Sequence, residues 1–343
     1  MADSGMTRRE RVRRALEHRA TDYVPYHIGL TGQAENNLAA LTGKHGYLND
    51  QGMHMHLFQY GGWPTETAPG SERFRDDFGV LWNRTGVDKD IGVIEDLVIP
   101  ADEPDVSFFR PKLDEARIRR EMEHLMSTAD DKFVVAGVGF SLFERLWSLQ
   151  GMENALANFL LEPKFTEELL DAICEYDLRV LEIELEYPVD AVYFGDDWGG
   201  QRGLIMGREH WSRFLAPRLK KLYGMAKSKG KFVIQHSCGD IHEVFGDLID
   251  MGLDCYQTFQ PEIYDVERIK REFGRDLSFW GGVSTQRLLP FATPEKVKEE
   301  TKRLIDLLGR ENGGYIAAPT HDVPGDVPAQ NILAMLDAMQ HQG

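Results

Sequence analysis

From residue 132 onward the chain alternates short runs rich in β-branched and aromatic residues with longer amphipathic stretches of helical period. The runs are KFVVAGVG (132–139), DAVYFGDD (190–197), KFVIQHSCG (231–239), LDCYQTF (253–259), LSFWGGV (277–283) and GGYIAAPTH (313–321). Strand then helix, repeated, builds a parallel sheet covered by helices. The segment 208–230 reads as a long amphipathic helix ending at Gly230, and 293–312 opens with Thr293 as N-cap and Pro294 at the first helical position. Earlier in the chain, DYVPYHIGL (22–30) reads as a first strand behind the charged helix TRRERVRRALEHR, while 74–86 and 90–99 read as an irregular hairpin that supplies one more strand. About eight strands without a Gly/Ser linker between them predict an α/β fold, a single-domain (β/α)8 TIM barrel over residues 1–343. A doubly wound open sheet is the alternative, but FGDDWGGQRG lacks the GxGxxG spacing that cradles a dinucleotide.

Bulk charge narrows the function. With 39 Lys and Arg against 56 Asp and Glu, the formal charge is -17, which repels nucleic-acid phosphates and anionic lipid. No apolar run is long enough for a membrane helix, and the polar opening MADSGMTRRERVRR has no apolar signal segment, so the expected location is cytoplasmic. Three cysteines are too few for a disulfide framework, and Cys174 and Cys255 lie in apolar patterns that predict core packing.

In a parallel barrel, chemistry sits at the carboxyl ends of the strands. The run FVIQHSCGDI ends one strand with His236 and Cys238. Residues two apart on an extended segment point to the same side, so an imidazole and a thiol project together while Gly239 lets the backbone turn away. Imidazole and thiolate are the usual zinc ligands, and a catalytic zinc takes three protein groups. The last strand offers the third, His321 in APTHDVPGDVP. Each of the three also has an ordinary role: a loop cap, a small buried hydrophobe, a solvated loop residue. Other polar groups expected around the mouth are Asp196, Asp197 and Glu144, candidates for base chemistry or substrate contact, and Gln257 and Gln260, candidates for hydrogen bonds to substrate. Helix N-capping is the competing role for one member of the Asp pair. Trp198, Trp280 and His27 are further candidates for substrate contact.

Five stretches resemble the uroporphyrinogen decarboxylase superfamily, and more closely its methyltransferase-like branch: TRRERVRRALEHRATDYVP, VAGVGFSLFERLWSLQGMENAL, HSCGDI with LIDMGLDCYQTFQPE, FWGGVSTQRLLPFATPEKVKEE, and GGYIAAPTHDVPGDVPAQNILAMLDA. The resemblance implies a (β/α)8 barrel. Porphyrinogen decarboxylases carry an arginine-rich segment of the form RQAGRY after the first strand, which grips substrate carboxylates. Here that stretch is HIGLTGQAENNLAAL, and no arginine lies between Arg19 and Arg73. A substrate bearing many carboxylates would lack charge-assisted partners. The corrinoid-linked methyltransferases of the superfamily hold zinc with a His-x-Cys pair, which His236 and Cys238 match, and a later Cys, which His321 replaces.

The function expected from residues and resemblance together is a zinc-dependent methyltransferase. Zn2+ would be held by His236, Cys238 and His321, and a methyl group would pass between a small methylated substrate and a corrinoid. The chain has no DxHxxG corrinoid motif, so the corrinoid is expected on a partner protein. With one thiolate rather than two, the ion would suit polarising an ether or hydroxyl oxygen. A decarboxylase or lyase of a small acid, or a non-catalytic ligand-binding barrel, are the alternatives.

Overall fold

A computed structural model describes residues 5–86, 92–310 and 313–342. Seven strands form one parallel sheet in the order β1 (Met55–Tyr60), β2 (Phe133–Val138), β3 (Ala191–Gly195), β4 (Phe232–His236), β5 (Cys255–Thr258), β6 (Ser278–Val283) and β7 (Tyr315–Pro319). The eighth stave closes the ring without becoming a regular strand. His27 N–H donates to the Ala317 carbonyl at 3.0 Å, Ala317 N–H to that of Pro25 at 2.8 Å, and on the other side His54 N–H to Tyr26 at 3.2 Å. Pro25 has no N–H to give, which limits this stave to isolated bridges at Tyr26 and Leu30. The molecule is a (β/α)8 barrel.

Two sequence expectations need correction. The strand assigned to 22–30 is this broken stave. The other early barrel strand is Met55–Tyr60 and not part of the 74–99 hairpin. That hairpin belongs to a separate antiparallel sheet of four short strands, Thr65–Glu66, Arg73–Arg75, Leu81–Asn83 and Val93–Asp96, and its residues 90 and 91 lie outside those described. MHLFQY went unread because His56 and Gln59 interrupt the apolar run by which a buried parallel strand is recognised.

The helix Arg8–Leu16 closes the amino-terminal end of the barrel. Thr7 caps it by accepting from Glu10 N–H at 3.1 Å. Its Val12 and Leu16 pack among inward-facing Met55, Phe133, Ile234 and Ile316. Arg9 and Arg13 both pair with the buried Asp190 just before β3. The opposite end is left for function. Helix 208–230 is present but not uniform: a π-helical turn, Trp211–Leu215, precedes Ala216–Ser228. Pro217 lies at the start of that last segment and cannot donate to the preceding turn, a recognised cause of such local rewinding. Helix Pro294–Gly309 starts as predicted, with Thr293 accepting from Lys296 N–H at 3.4 Å; residues 311 and 312 of the predicted span lie outside those described. Cys174 and Cys255 are buried in the core, as their patterns predict. Among the described residues, no helix is long and apolar enough to cross a membrane.

Candidate metal and substrate site

The carboxyl ends of the barrel strands enclose a cavity of about 240 Å³. His236, the last residue of β4, enters it beside His321 from the exposed loop after β7, and their rings meet nearly edge to face at 5.6 Å between centroids. Cys238 follows two residues after His236, with Sγ 3.8 Å from His236 Nε2. One donor atom from each of His236, Cys238 and His321 lies within 4.8 Å of the others. Around a tetrahedral zinc with Zn–N near 2.0 Å and Zn–S near 2.3 Å, donors stand roughly 3.3 to 3.7 Å apart, so small rotations of the side chains bring the three into range. The donor set therefore fits zinc.

The imidazole is aimed by its neighbours. His236 Nδ1 donates to Gln257 Oε1 on the adjacent strand β5, which leaves the Nε2 lone pair for an ion. Tyr193 O–H donates to the same Gln257 oxygen at 3.4 Å. Asp197 Oδ1 lies 3.3 Å from His236 Nε2 and accepts the Cys238 N–H at 2.7 Å, so one carboxylate fixes both the ligand backbone and the field around the imidazole. Burial alone would drive His236 neutral, but without a metal Tyr193 and Asp197 facing it hold it well above its usual range, so an ion that binds at Nε2 would displace a proton from it. Burial would raise Asp197, yet His236 opposite holds it down at about 2. Burial and the nearby His236 push His321 below the usual range.

The loop that carries Cys238 is pressed into place by glycines. Gly239 has φ +74, the left-handed region, and a Cβ there would sit 2.2 Å from the Gly199 carbonyl oxygen. That close approach seats the hairpin 199–204 on the ligand loop through the bridge Gly200–Asp240. Gln260 supports the same turn, its Oε1 accepting Gly239 N–H at 3.0 Å.

The structure separates the sequence candidates. His27, Glu144, Asp197, Gln257 and Trp280 line the cavity with His236 and His321. Asp196, Trp198 and Gln260 do not, and their positions correct the expectation that they ring the mouth. Asp196 is fully buried behind the wall, accepting Phe143 N–H at 3.0 Å, Glu144 N–H at 2.7 Å and the Trp198 indole N–H at 2.5 Å. Ser141, at the N-cap of helix Leu142–Gln150, makes no side-chain cap bond, and Asp196 caps that helix from another strand. Burial pushes Asp196 up to about 7 against the pull of those three donors. Trp198 is buried with its ring against Trp211.

Sequence reasoning missed Gln59, Phe140, Tyr193 and Asp322, which also line the cavity. Gln59 went with the unread β1. Asp322 follows His321 and lies over Gly29, where any Cβ would collide with its carboxylate. Phe140 has φ +50, an uncommon conformation for a bulky residue, and its ring stands between this cavity and a neighbouring hollow of about 160 Å³ that Trp82 and Arg84 help to line. A strained backbone cannot be read from a sequence.

A family model described as uroporphyrinogen decarboxylase (URO-D) matches residues 116–342, which include the whole His236–Cys238–His321 set. The chain belongs to the uroporphyrinogen decarboxylase family. Its curated relatives include proteins named for two activities. A methylated-thiol–coenzyme M methyltransferase of Methanosarcina mazei is 23% identical over 53% of this chain and 48% of its own length. A methylcobamide:CoM methyltransferase of Methanosarcina barkeri is 23% identical over 50% and 48%. A uroporphyrinogen decarboxylase of Methylococcus capsulatus is 25% identical over 52% and 49%. The chain thus spans about half the length of the curated relatives it matches. A solved methyltransferase from Methanosarcina mazei superposes over 98% of both chains with a TM-score of 0.73 at 19% identity, which establishes the shared fold.

Proposed function

We propose that this family member is a methyltransferase that moves a methyl group between a small methylated substrate and a corrinoid carried by a partner protein. One observation carries the reading: His236, Cys238 and His321 converge at the mouth of the barrel within 4.8 Å of one another. Relatives named as methyltransferases support it. Zinc held there would supply Lewis acidity toward a heteroatom of the substrate. The protein groups do the rest. Gln257 keeps His236 in the tautomer that offers Nε2, and Asp197 anchors the Cys238 backbone. Glu144 lies in the cavity wall, where burial, with Asp197 and Asp196 nearby, raises its carboxyl well above the usual range. The aromatic wall of Phe140, Tyr193 and Trp280 would restrict water around the reacting groups. We place the protein in the cytoplasm as a reading of its charge and apolar patterning alone.

Metal analysis of protein purified without chelator tests the core claim. About one zinc per chain is expected, with loss in His236→Ala and Cys238→Ala; wild type with no stoichiometric metal overturns it. Methylation of added Co(I) corrinoid by a panel of methylated compounds under anaerobic conditions, followed by its absorption spectrum, tests the reaction.

A further inference from the structure

The methyltransferase reading leaves the substrate open, and the cavity wall has features that bear on its charge. Among the described residues that line it, none is Lys or Arg, while three are carboxylates: Glu144, Asp197 and Asp322. Asp197 is committed to His236 and the Cys238 N–H. The other two reach the cavity from different strands, Glu144 from the helix after β2 and Asp322 from the loop after β7, and no ion pair or hydrogen bond holds either carboxyl among the described residues. A divalent ion on the donor set would be offset by the Cys238 thiolate and Asp197, so the loaded site would still face the substrate with Asp322 and with Glu144, whose buried carboxyl lacks the counter-charge that a bound cation would supply. The remaining wall is apolar or aromatic, with Leu57, Phe140 and Trp280. His27 also lines the cavity, and its Nδ1 is buried without a hydrogen-bond partner. Burial lowers this imidazole to about 4, so at neutral pH it adds no positive charge. Aromatic faces with acidic side chains and no lysine or arginine are suited to an ammonium group and hostile to an anion.

Resting on the methyltransferase reading, we propose that the cavity binds a small methylated ammonium compound that also carries a hydroxyl or ether oxygen. Its cation faces Glu144 and Asp322, its carbon body lies against Phe140 and Trp280, and its oxygen faces His236, Cys238 and His321. Anionic thiols and poly-acids are rejected because each negative group would enter without a cationic partner.

Three probes of similar size separate charge from shape. Choline has the ammonium and the hydroxyl, 3,3-dimethylbutan-1-ol has the same outline with carbon in place of nitrogen, and 2-mercaptoethanesulfonate is an anion. Calorimetric titration of zinc-loaded wild type at low and high salt is expected to show choline binding at least about tenfold tighter than the neutral alcohol, with the sulfonate weakest. In Glu144→Gln/Asp322→Asn the preference for choline should shrink toward parity. Equal binding of alcohol and choline, tightest binding of the sulfonate, or binding of none of the three overturns the proposal, and the wild-type comparison stands even where the double variant folds poorly. Methyl transfer to added Co(I) corrinoid from a neutral methoxylated compound without choline binding would sink the charge assignment and leave the methyltransferase reading intact. Charge-selective binding without any corrinoid methylation by any donor would do the reverse.

Discussion

Two groups of ionisable residues lie within one barrel and are treated in opposite ways. At the mouth, His236, Cys238, His321 and Asp197 are half-buried or exposed and cluster together. Behind the wall, between β2, β3 and the helix Pro163–Glu184, Asp177, Glu184 and Asp196 are fully buried among apolar side chains. Asp196 and Asp197 are neighbours just past the end of β3, yet one carboxylate lies behind the barrel wall and the other lines the cavity. Asp197 meets an imidazole and stays ionised; Asp196 meets a helix N-terminus and is pushed up. Among the described residues Asp177 accepts only the Ser141 hydroxyl, at 2.9 Å, and it is pushed up to about 7 by burial. Glu184 has no hydrogen-bond partner on either oxygen among the described residues, and burial raises it well above the usual range. Ionisable residue type therefore says little about role here. What decides it is whether a partner and solvent access accompany the charge.

The contrast can be broken most severely at the mouth. His236→Ala/Cys238→Ala removes two of the three proposed ligands and should lower zinc affinity by more than about 100-fold, beyond the effect of losing a supporting partner; metal content after dialysis against a weak chelator reads it. Little change in global stability of the apo form is expected, since neither side chain is part of the apolar core.

The buried layer should respond to pH instead. The folded pKa of Asp177 lies near 7 and its unfolded value near 3.9, so the folded state holds the extra proton between them. Its favourable contribution is complete below about pH 4 and is lost as pH rises through about 7. About three pK units correspond to roughly 4 kcal/mol at most. Asp177→Asn should therefore gain stability relative to wild type as pH goes from 5 to 8, measured by urea unfolding at each pH. A pH-independent difference would contradict the assignment.

Asp196→Ala leaves two helix N–H groups and the Trp198 indole without their acceptor and should cost about 2 to 3 kcal/mol of stability. Comparable zinc content in the folded variant would separate its structural role from that of Asp197. The smallest effect is expected at Gln257→Leu, which frees the His236 tautomer and should weaken zinc by about 10- to 100-fold. Competition with a chromogenic chelator measures it; unchanged affinity would mean that Tyr193 and the β4 backbone suffice to aim the ring.

Much of the barrel was legible because β2, β3, β6 and β7 are near-continuous apolar runs, the pattern of strands buried on both faces. The same logic failed at β1, where polar His56 and Gln59 belong to a genuine strand, and at the stave 22–30, where Pro25 prevents a regular ladder. Among the site residues, the His236–Cys238 pair was visible from spacing alone, since alternation along a strand places residues two apart on one side. His321 was visible as a strand end. Gln257 on β5 could be named but not connected to His236, because register between strands 21 residues apart is not written in either one. Whether Asp196 or Asp197 faces the cavity was likewise undecided.

The sequence by itself determined a (β/α)8 barrel, a family resemblance, a strongly acidic chain and three candidate metal ligands at strand ends, since each follows from local period, composition or motif. The tertiary structure alone decided that those three side chains meet, that Asp197 rather than Asp196 stands with them, and that among the described residues three acidic side chains and no lysine or arginine line the cavity. The reason is physical: closure of the ring brings residues 27, 144, 236 and 321 to one mouth, and both burial and field depend on what closure places opposite each side chain.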